Sequence, residues 1–289
     1  MDKGSLDKII EFQKNEITEY HVYRLLSHLA KDAQNKKILA RIADDELRHY
    51  RFWKDYSKQN MIPDNFKVSL FTTIAKILGL SFAVKLMELG EKDAQIAYGQ
   101  FASVIPKVKE LITDEDRHEM ETLSLIHDQY LKFAGSIVLG INDALIELTG
   151  ALAGLTFALQ NAKLVAISGL VTGIAAAFSM GASEYMSVKA EEKSKKHAFR
   201  ASIYTGAVYM IVVLLLVTPY LLFADIYFSL ILTLITALLI ITVFSFYVSV
   251  AQQVSFKKHF FEMSILSLGV AAISFIIGLI LRHTLDIEV

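Results

Sequence analysis

The chain contains no cysteine. That absence excludes disulfides, thiolate catalysis, zinc ribbons and cysteine-ligated iron–sulfur centres, so any metal must be held by oxygen, nitrogen or methionine sulfur. An excess of one charge is missing too, with 29 Lys and Arg against 30 Asp and Glu and a net charge of −1. Neither half carries the basic stripe that would replace phosphate counterions, and nucleic acid is not expected as a partner. The first 30 residues lack the apolar run of a cleavable signal peptide, which leads us to expect a cytoplasmic N-terminus. No low-complexity tract is present.

What is abundant is apolar sequence, at 54% of the chain with a mean hydropathy of +0.43, and it is unevenly placed. Residues 1–132 are rich in Lys, Asp, Glu, Arg and His, whereas the excess of apolar residues lies beyond Phe133. The length allows about two domains, and the composition puts them at 1–132 and 133–289. The second contains five apolar segments, at about 133–159, 164–188, 203–223, 227–250 and 263–281, each long enough to cross a bilayer as a helix. Five spans put the two termini on opposite sides. With the N-terminal domain inside, the inner loops hold Lys189, Lys193, Lys195, Lys196, Arg200, Lys257 and Lys258, and the outer ones only Lys163 and Arg282. This asymmetry predicts N-in, C-out.

In the polar half, apolar residues recur at helical spacing over about 5–31, 34–58, 70–104 and 107–131. Four helices are therefore predicted, with Asp32 and Asn35 suited to a first turn, Pro63, Asp64 and Asn65 marking a longer linker, and Pro106 placed early in the last helix. Two of these helices carry Glu-x-x-His, at Glu46/His49 and Glu115/His118, and residues three apart share a helix face. The other two carry a weak repeat in which Glu16 precedes Tyr23 by seven residues and Glu91 precedes Tyr98 by seven. The alternation of Glu helix and Glu-x-x-His helix is the arrangement of di-iron and di-manganese carboxylate bundles. Hard carboxylate oxygens hold two cations close together, and a few imidazoles limit the negative charge.

Glu16, Glu46, His49, Glu91, Glu115 and His118 supply that set. With a turn near 104–106, Glu91 is level with His118; with a turn near 32–34, Glu16 lies slightly beyond His49, and Glu19 between His49 and Glu46. Glu19 and Glu88 are additional carboxylates within reach, Glu88 the better placed. A lone Glu-x-x-His on a charged helix is usually a solvated face; two in this alternation point to metal. His21, His28 and His127 lack such support and read as surface or packing residues, and Tyr20, Tyr23, Tyr50 and Tyr98 read as core.

The segment from Glu91 to Ala102, E-K-D-A-Q-I-A-Y-G-Q-F-A, together with these pairs, resembles the ferritin-like superfamily, specifically its rubrerythrin-type domain. The resemblance implies a four-helix bundle, a dinuclear iron site, and ferroxidase or peroxidase chemistry. The chain lacks the cysteine-ligated iron that full rubrerythrins use for electron transfer, so iron binding or oxidation is expected rather than peroxidase turnover.

Acidic residues inside a span cost about 2.5 to 3.5 kcal/mol each to insert, so those that occur invite a functional reading. Asp143 and Glu147 lie one turn apart in the first span, and Gly150 and Gly154 continue their stripe. Small residues at that interval allow helices to approach closely, which predicts an acidic pathway beside a close helix contact, with a dimer interface as one possibility. The bland alternative is that both acids reach back to the membrane surface. In the second span Met180, Glu184, Ser187 and Glu191 form one stripe; thioether beside carboxylate suits a softer divalent ion such as Fe²⁺. Gly169, Gly173, Ala177 and Gly181 form another, which reads as packing.

The stretch G-I-N-D-A-L-I-E-L-T-G-A-L-A-G-L from Gly140, with S-M-G-A-S-E-Y-M-S-V-K-A-E-E from Ser179, resembles the vacuolar iron transporter family over about 133–289. The resemblance implies a homodimer exporting Fe²⁺, with Mn²⁺ as an alternative cargo, from the cytosol, often against protons. It maps pathway roles onto Asp143, Met180 and Glu184, and we read Glu147 and Glu191 as entry or proton-coupling groups. Vacuolar members carry an acidic cytosolic domain between spans two and three; here that connection is about 189–202, with Glu191 and Glu192 as its remnant. The whole chain resembles the membrane-bound ferritin type.

The expected protein is thus all-α, a ferritin-like four-helix bundle followed by five transmembrane helices, in the cytoplasmic membrane of a prokaryote. Its expected function is iron export with a cytosolic metal-collecting domain. The rival is a membrane-anchored di-iron oxidase or peroxidase whose spans only tether it. Leu70, Ile74, Ile77 and Leu78 form an apolar face at the start of the third helix, open to three readings: the membrane surface, a second protomer, or ordinary core.

Overall fold

Asp32 and Asp64 begin helices in the same way. Asp32 Oδ1 accepts from the backbone N–H groups of Gln34 and Asn35, both at 2.9 Å, and Asp64 Oδ1 from those of Phe66 and Lys67, both at 3.1 Å. Each satisfies donors that a first turn leaves open. In the computed structural model, residues 3–124, 133–191, 194–252 and 254–285 are described, and among them there is no strand. The chain divides into two compact units, Met1–Leu131 and Lys132–Val289.

The first unit contains α1 (Lys3–Leu29), α2 (Ala33–Ser57), α3 (Asn65–Leu78), α4 (Leu80–Phe101) and α5 (Val108–Ser124). The single helix expected over 70–104 is instead two. Gly79, at φ 97° and ψ 156°, breaks the apolar run in a conformation that a side chain would strain. Helix α1 packs on α2, α4 on α5, α2 on α5 and α1 on α4, while α3 lies against α1 and α4. Two apolar clusters fill the interior. Phe12, Trp53, Tyr98 and Phe101 meet as tilted and edge-on rings, and Val22, Tyr23, Leu26, Ile42, Val84 and Met87 form the other. Their members flank the carboxylate and histidine positions along α1, α2 and α4.

The second unit contains α6 (Ala134–Leu159), α7 (Ala162–Glu191), α8 (Lys195–Leu222), α9 (Ile226–Gln252) and α10 (Phe256–Leu285). All five are long and apolar enough to cross a membrane, and each matches one expected segment. Two, α8 and α10, begin well before the expected ends, because helix continues into flanking polar turns such as Lys195–Arg200. Large apolar side chains including Phe178, Val243 and Ile265 face outward, as lipid-facing residues do. Helices α7 and α8 approach closely where Gly181 meets Ser202 and Gly206 meets the carbonyl of Ala177.

Candidate metal centre and membrane acids

In the first unit, α1, α2 and α5 bring Glu16, Glu46, His49 and Glu115 together, with one potential ligand atom from each lying within 4.8 Å of the others. All four are buried, as is His118. The cluster has a crossed geometry. Glu46 points Oε2 at His49 Nδ1 (3.4 Å) and Oε1 at His118 Nδ1 (3.2 Å), and Glu115 points Oε1 at His49 Nδ1 (3.1 Å) and Oε2 at His118 Nδ1 (3.5 Å). Each of these carboxylates therefore reaches both imidazoles, whose rings stack 6.0 Å apart.

Glu16 is held by one oxygen and presents the other. Its Oε1 accepts from the Tyr98 hydroxyl at 2.5 Å and from Trp53 Nε1 at 3.3 Å, while Oε2 lies 3.5 Å from His49 Nδ1. On α4, Glu88 is buried and Oε1 accepts from the Tyr23 hydroxyl at 3.4 Å. Tyr23 and Tyr98 are thus core residues and carboxylate partners at once. Glu19 is partly buried next to the same charges. The side chain of Glu91 lies outside the described residues, as do His127, Glu192 and Lys193 in full.

The outer edge of each imidazole carries a partner that the Glu-x-x-His reading omits. His49 Nε2 lies 3.3 Å from Asp114 Oδ2, and His118 Nε2 3.0 Å from Asp45 Oδ2. Arg48 bridges the two aspartates at 2.9 and 2.5 Å, and Arg117 bridges them from the other helix at 2.8 Å each. With Nε2 occupied by a carboxylate, Nδ1 is the nitrogen turned to the cluster. A sequence signal for this shell exists, since the pairs belong to a longer repeat, Asp45-Glu46-Leu47-Arg48-His49 and Asp114-Glu115-Asp116-Arg117-His118.

Burial and close charges shift the groups of the cluster in different directions. Burial pushes the Glu16 carboxyl up to about 8 against the opposing pull of His49, and the Glu88 carboxyl up to about 7. Burial would lower both histidines, but the charge of Glu16 beside His49 outweighs it, and the close carboxylates of Glu115 and Glu46 raise His118 to about 11. Glu46 is held below the usual carboxylate range, because the imidazoles of His118 and His49 close beside it outweigh its burial. Glu16 Oε2, both oxygens of Glu46, and Nδ1 of both histidines are buried with no partner in hydrogen-bonding geometry. Five inward-facing oxygen and nitrogen donors of that kind fit a divalent metal.

In the second unit Glu184 is buried and Oε1 accepts from the Ser136 hydroxyl at 2.5 Å. Glu147 is exposed on α6, and its Oε2 accepts from the hydroxyl of the buried Tyr209 at 2.8 Å; Asp143, one turn earlier, is partly buried. Met180 packs partly buried against the core, and Glu191 is exposed at the end of α7. Ser136 and Tyr209 carried no sequence signal, because only the packing of α6 on α7 and α8 makes them partners. The contact expected at Gly150 and Gly154 is close, and its partner is α10 of the same chain. A Cβ at Gly150 would lie 2.7 Å from Val270, and one at Gly154 would lie 3.0 Å from the carbonyl oxygen of Ser274. That stripe is therefore covered internally and is not free to form a dimer interface.

Residues 134–201 match the model of the VIT family. The match covers α6, α7 and the first turns of α8, the region holding Asp143, Glu147, Met180 and Glu184. With the five apolar helices it indicates an integral membrane protein, and it suggests a membrane metal transporter. No curated protein and no solved structure matches the chain.

Proposed function

We propose that the protein exports Fe²⁺ from the cytosol, with Mn²⁺ as an alternative cargo, and that its first unit is a ferritin-like domain binding two metal ions to collect or oxidise that cargo. The observation that carries the reading is the crossed placement of Glu46 and Glu115, each with one oxygen toward each histidine. This suits two carboxylates shared between two cations. Glu16 and His49 would serve one ion, and His118 with Glu88 or Glu91 the other, while Asp45 and Asp114 fix the imidazoles from behind. Two irons bound there supply ferroxidase chemistry toward oxygen. The protein's own part is to exclude water with its apolar clusters and to give up the protons that its buried carboxyls and imidazoles hold.

In the membrane unit we assign the pathway to Asp143, Met180 and Glu184, with Glu147 and Glu191 admitting ions or exchanging protons. Ser136 orients Glu184 and Tyr209 orients Glu147. A homodimer in a prokaryotic cytoplasmic membrane, N-terminal unit inside, is the assembly that the family resemblance and the lysine asymmetry support. A tethered oxidase is the competing reading, supported by a cluster that lies wholly within the first unit, yet an anchor has no use for carboxylates in its spans. The test is Fe²⁺ flux in proteoliposomes containing the full chain. Asp143→Ala is expected to abolish flux, and undiminished flux would remove the pathway assignment.

A further inference from the structure

Helix α3 is apolar on two faces and the first unit covers one of them. Val68, Phe71 and Ala75 turn onto the cluster of Tyr23, Leu26, Val84 and Met87. On the opposite face Phe66 is 76% exposed, Leu70 42% and Ile77 71%, and Ile62 just ahead of the helix is 77% exposed. Phe66, Leu70 and Ile77 fall in one stripe at helical spacing, with the exposed Thr73 between Leu70 and Ile77. Large apolar side chains gathered on an exposed face mark a contact surface.

The charges on α3 identify what covers it. The helix carries Lys67 and Lys76 and no acidic residue. At 100° per residue, the two lysines fall on opposite sides of the exposed stripe. Against the same face of a second copy, they would meet identical lysines with no acid from α3 to oppose them. Against anionic headgroups they are complementary, with the apolar stripe between them placed to enter the acyl boundary. The same chain carries five spans, so a bilayer surface is present at high effective concentration. Gly79 ends α3 and frees its direction from that of α4.

We infer that α3 is an interfacial helix, lying on the anionic surface of the bilayer with Ile62, Phe66, Leu70 and Ile77 inserted and Lys67 and Lys76 on lipid phosphates. The absence of native cysteine makes a direct test simple. Full-length Phe66→Cys, Ile77→Cys and, as a control on α2, Lys37→Cys are labelled with an environment-sensitive fluorophore. They are then reconstituted in phosphatidylcholine vesicles with or without phosphatidylglycerol, using acyl chains that are brominated or not. The labels at 66 and 77 are expected to shift to the blue and to be quenched by bromolipid when anionic lipid is present, while the label at 37 does neither. Adding Lys67→Glu and Lys76→Glu is expected to abolish the quenching while Trp53 emission stays native. Labels at 66 and 77 as water-exposed as the label at 37 overturn the proposal. So does protection without bromolipid quenching that disappears on dilution with lipid, the mark of a second copy. Quenching that survives the charge reversal unchanged overturns the assignment to anionic headgroups.

Discussion

Each imidazole at the cluster is gripped from behind by an aspartate that two arginines in turn hold between them. Such outer partners are typically worth about 10- to 100-fold in metal affinity. Asp45→Asn and Asp114→Asn should each weaken metal binding by about that factor, read as quenching of Trp53, the chain's one tryptophan, whose Nε1 touches Glu16. The aspartates were readable in the Asp-Glu-x-Arg-His repeat; Tyr98 and Trp53 as holders of Glu16 were not, because their approach depends on how α1, α2 and α4 pack. Protons at the cluster give a second prediction. Glu16, Glu88 and both histidines have folded-state values above their ordinary ones, so the stability they lend is present at low pH and is lost as pH rises through the folded values. For Glu88 that loss runs from the ordinary carboxylate range to about 7, for Glu16 to about 8, and for His118 from the imidazole range to about 11. Glu46 is shifted the other way, and its contribution is lost only on acidification below the ordinary carboxylate range. In chelator, the urea midpoint followed by Trp53 should therefore be lower at about pH 8.5 than at about pH 5.5, a window bracketing the Glu16 and Glu88 shifts. Metal, which displaces those protons, should restore it at the higher pH. A midpoint that rises with pH in chelator would contradict this.

Helices were legible in proportion to how far one residue pattern governed them. The five spans followed from apolar length alone, since lipid leaves a spanning segment no alternative to helix. The break at Gly79 was hidden because the residues on both sides are apolar at helical spacing, and a lone glycine inside such a run is usually tolerated. Only the backbone shows that it turns. The partner of Gly150 and Gly154 was hidden for a related reason: a small-residue stripe announces a close contact without saying which helix makes it. That partner, α10, comes nearest at Gly278, where a Cβ would collide with the carbonyl oxygen of Gly154. Backbone cannot yield as a flexible side chain does, so Gly278→Ala should destabilise the membrane unit by about 1 to 3 kcal/mol. Gly269→Ala, with open space at its Cβ, should be close to neutral. Thermal inactivation of Fe²⁺ flux in the two variants measures the difference; equal half-lives would mean that the crossing of α6 and α10 is looser than described.

At the scale of the molecule, the two sets proposed to handle metal lie in separate units, and separate variants can therefore uncouple them. Glu115 reaches both histidines, so Glu115→Ala should remove metal-dependent quenching of Trp53. It should reduce Fe²⁺ flux at low metal, where collection limits the rate, and leave flux at saturating metal near that of the unaltered protein. Asp143→Ala should do the reverse, keeping Trp53 quenching intact while flux is lost at every concentration. A tethered oxidase makes a different forecast: Glu115→Ala would end oxygen consumption on Fe²⁺ addition, and Asp143→Ala would leave the protein's function untouched. Measuring quenching, oxygen uptake and flux on the same three preparations separates these cases. If Glu115→Ala were to abolish flux even at saturating metal, then the cluster would be an obligatory step of transport, with Fe²⁺ passing through it before the spans, and a collecting role would no longer suffice.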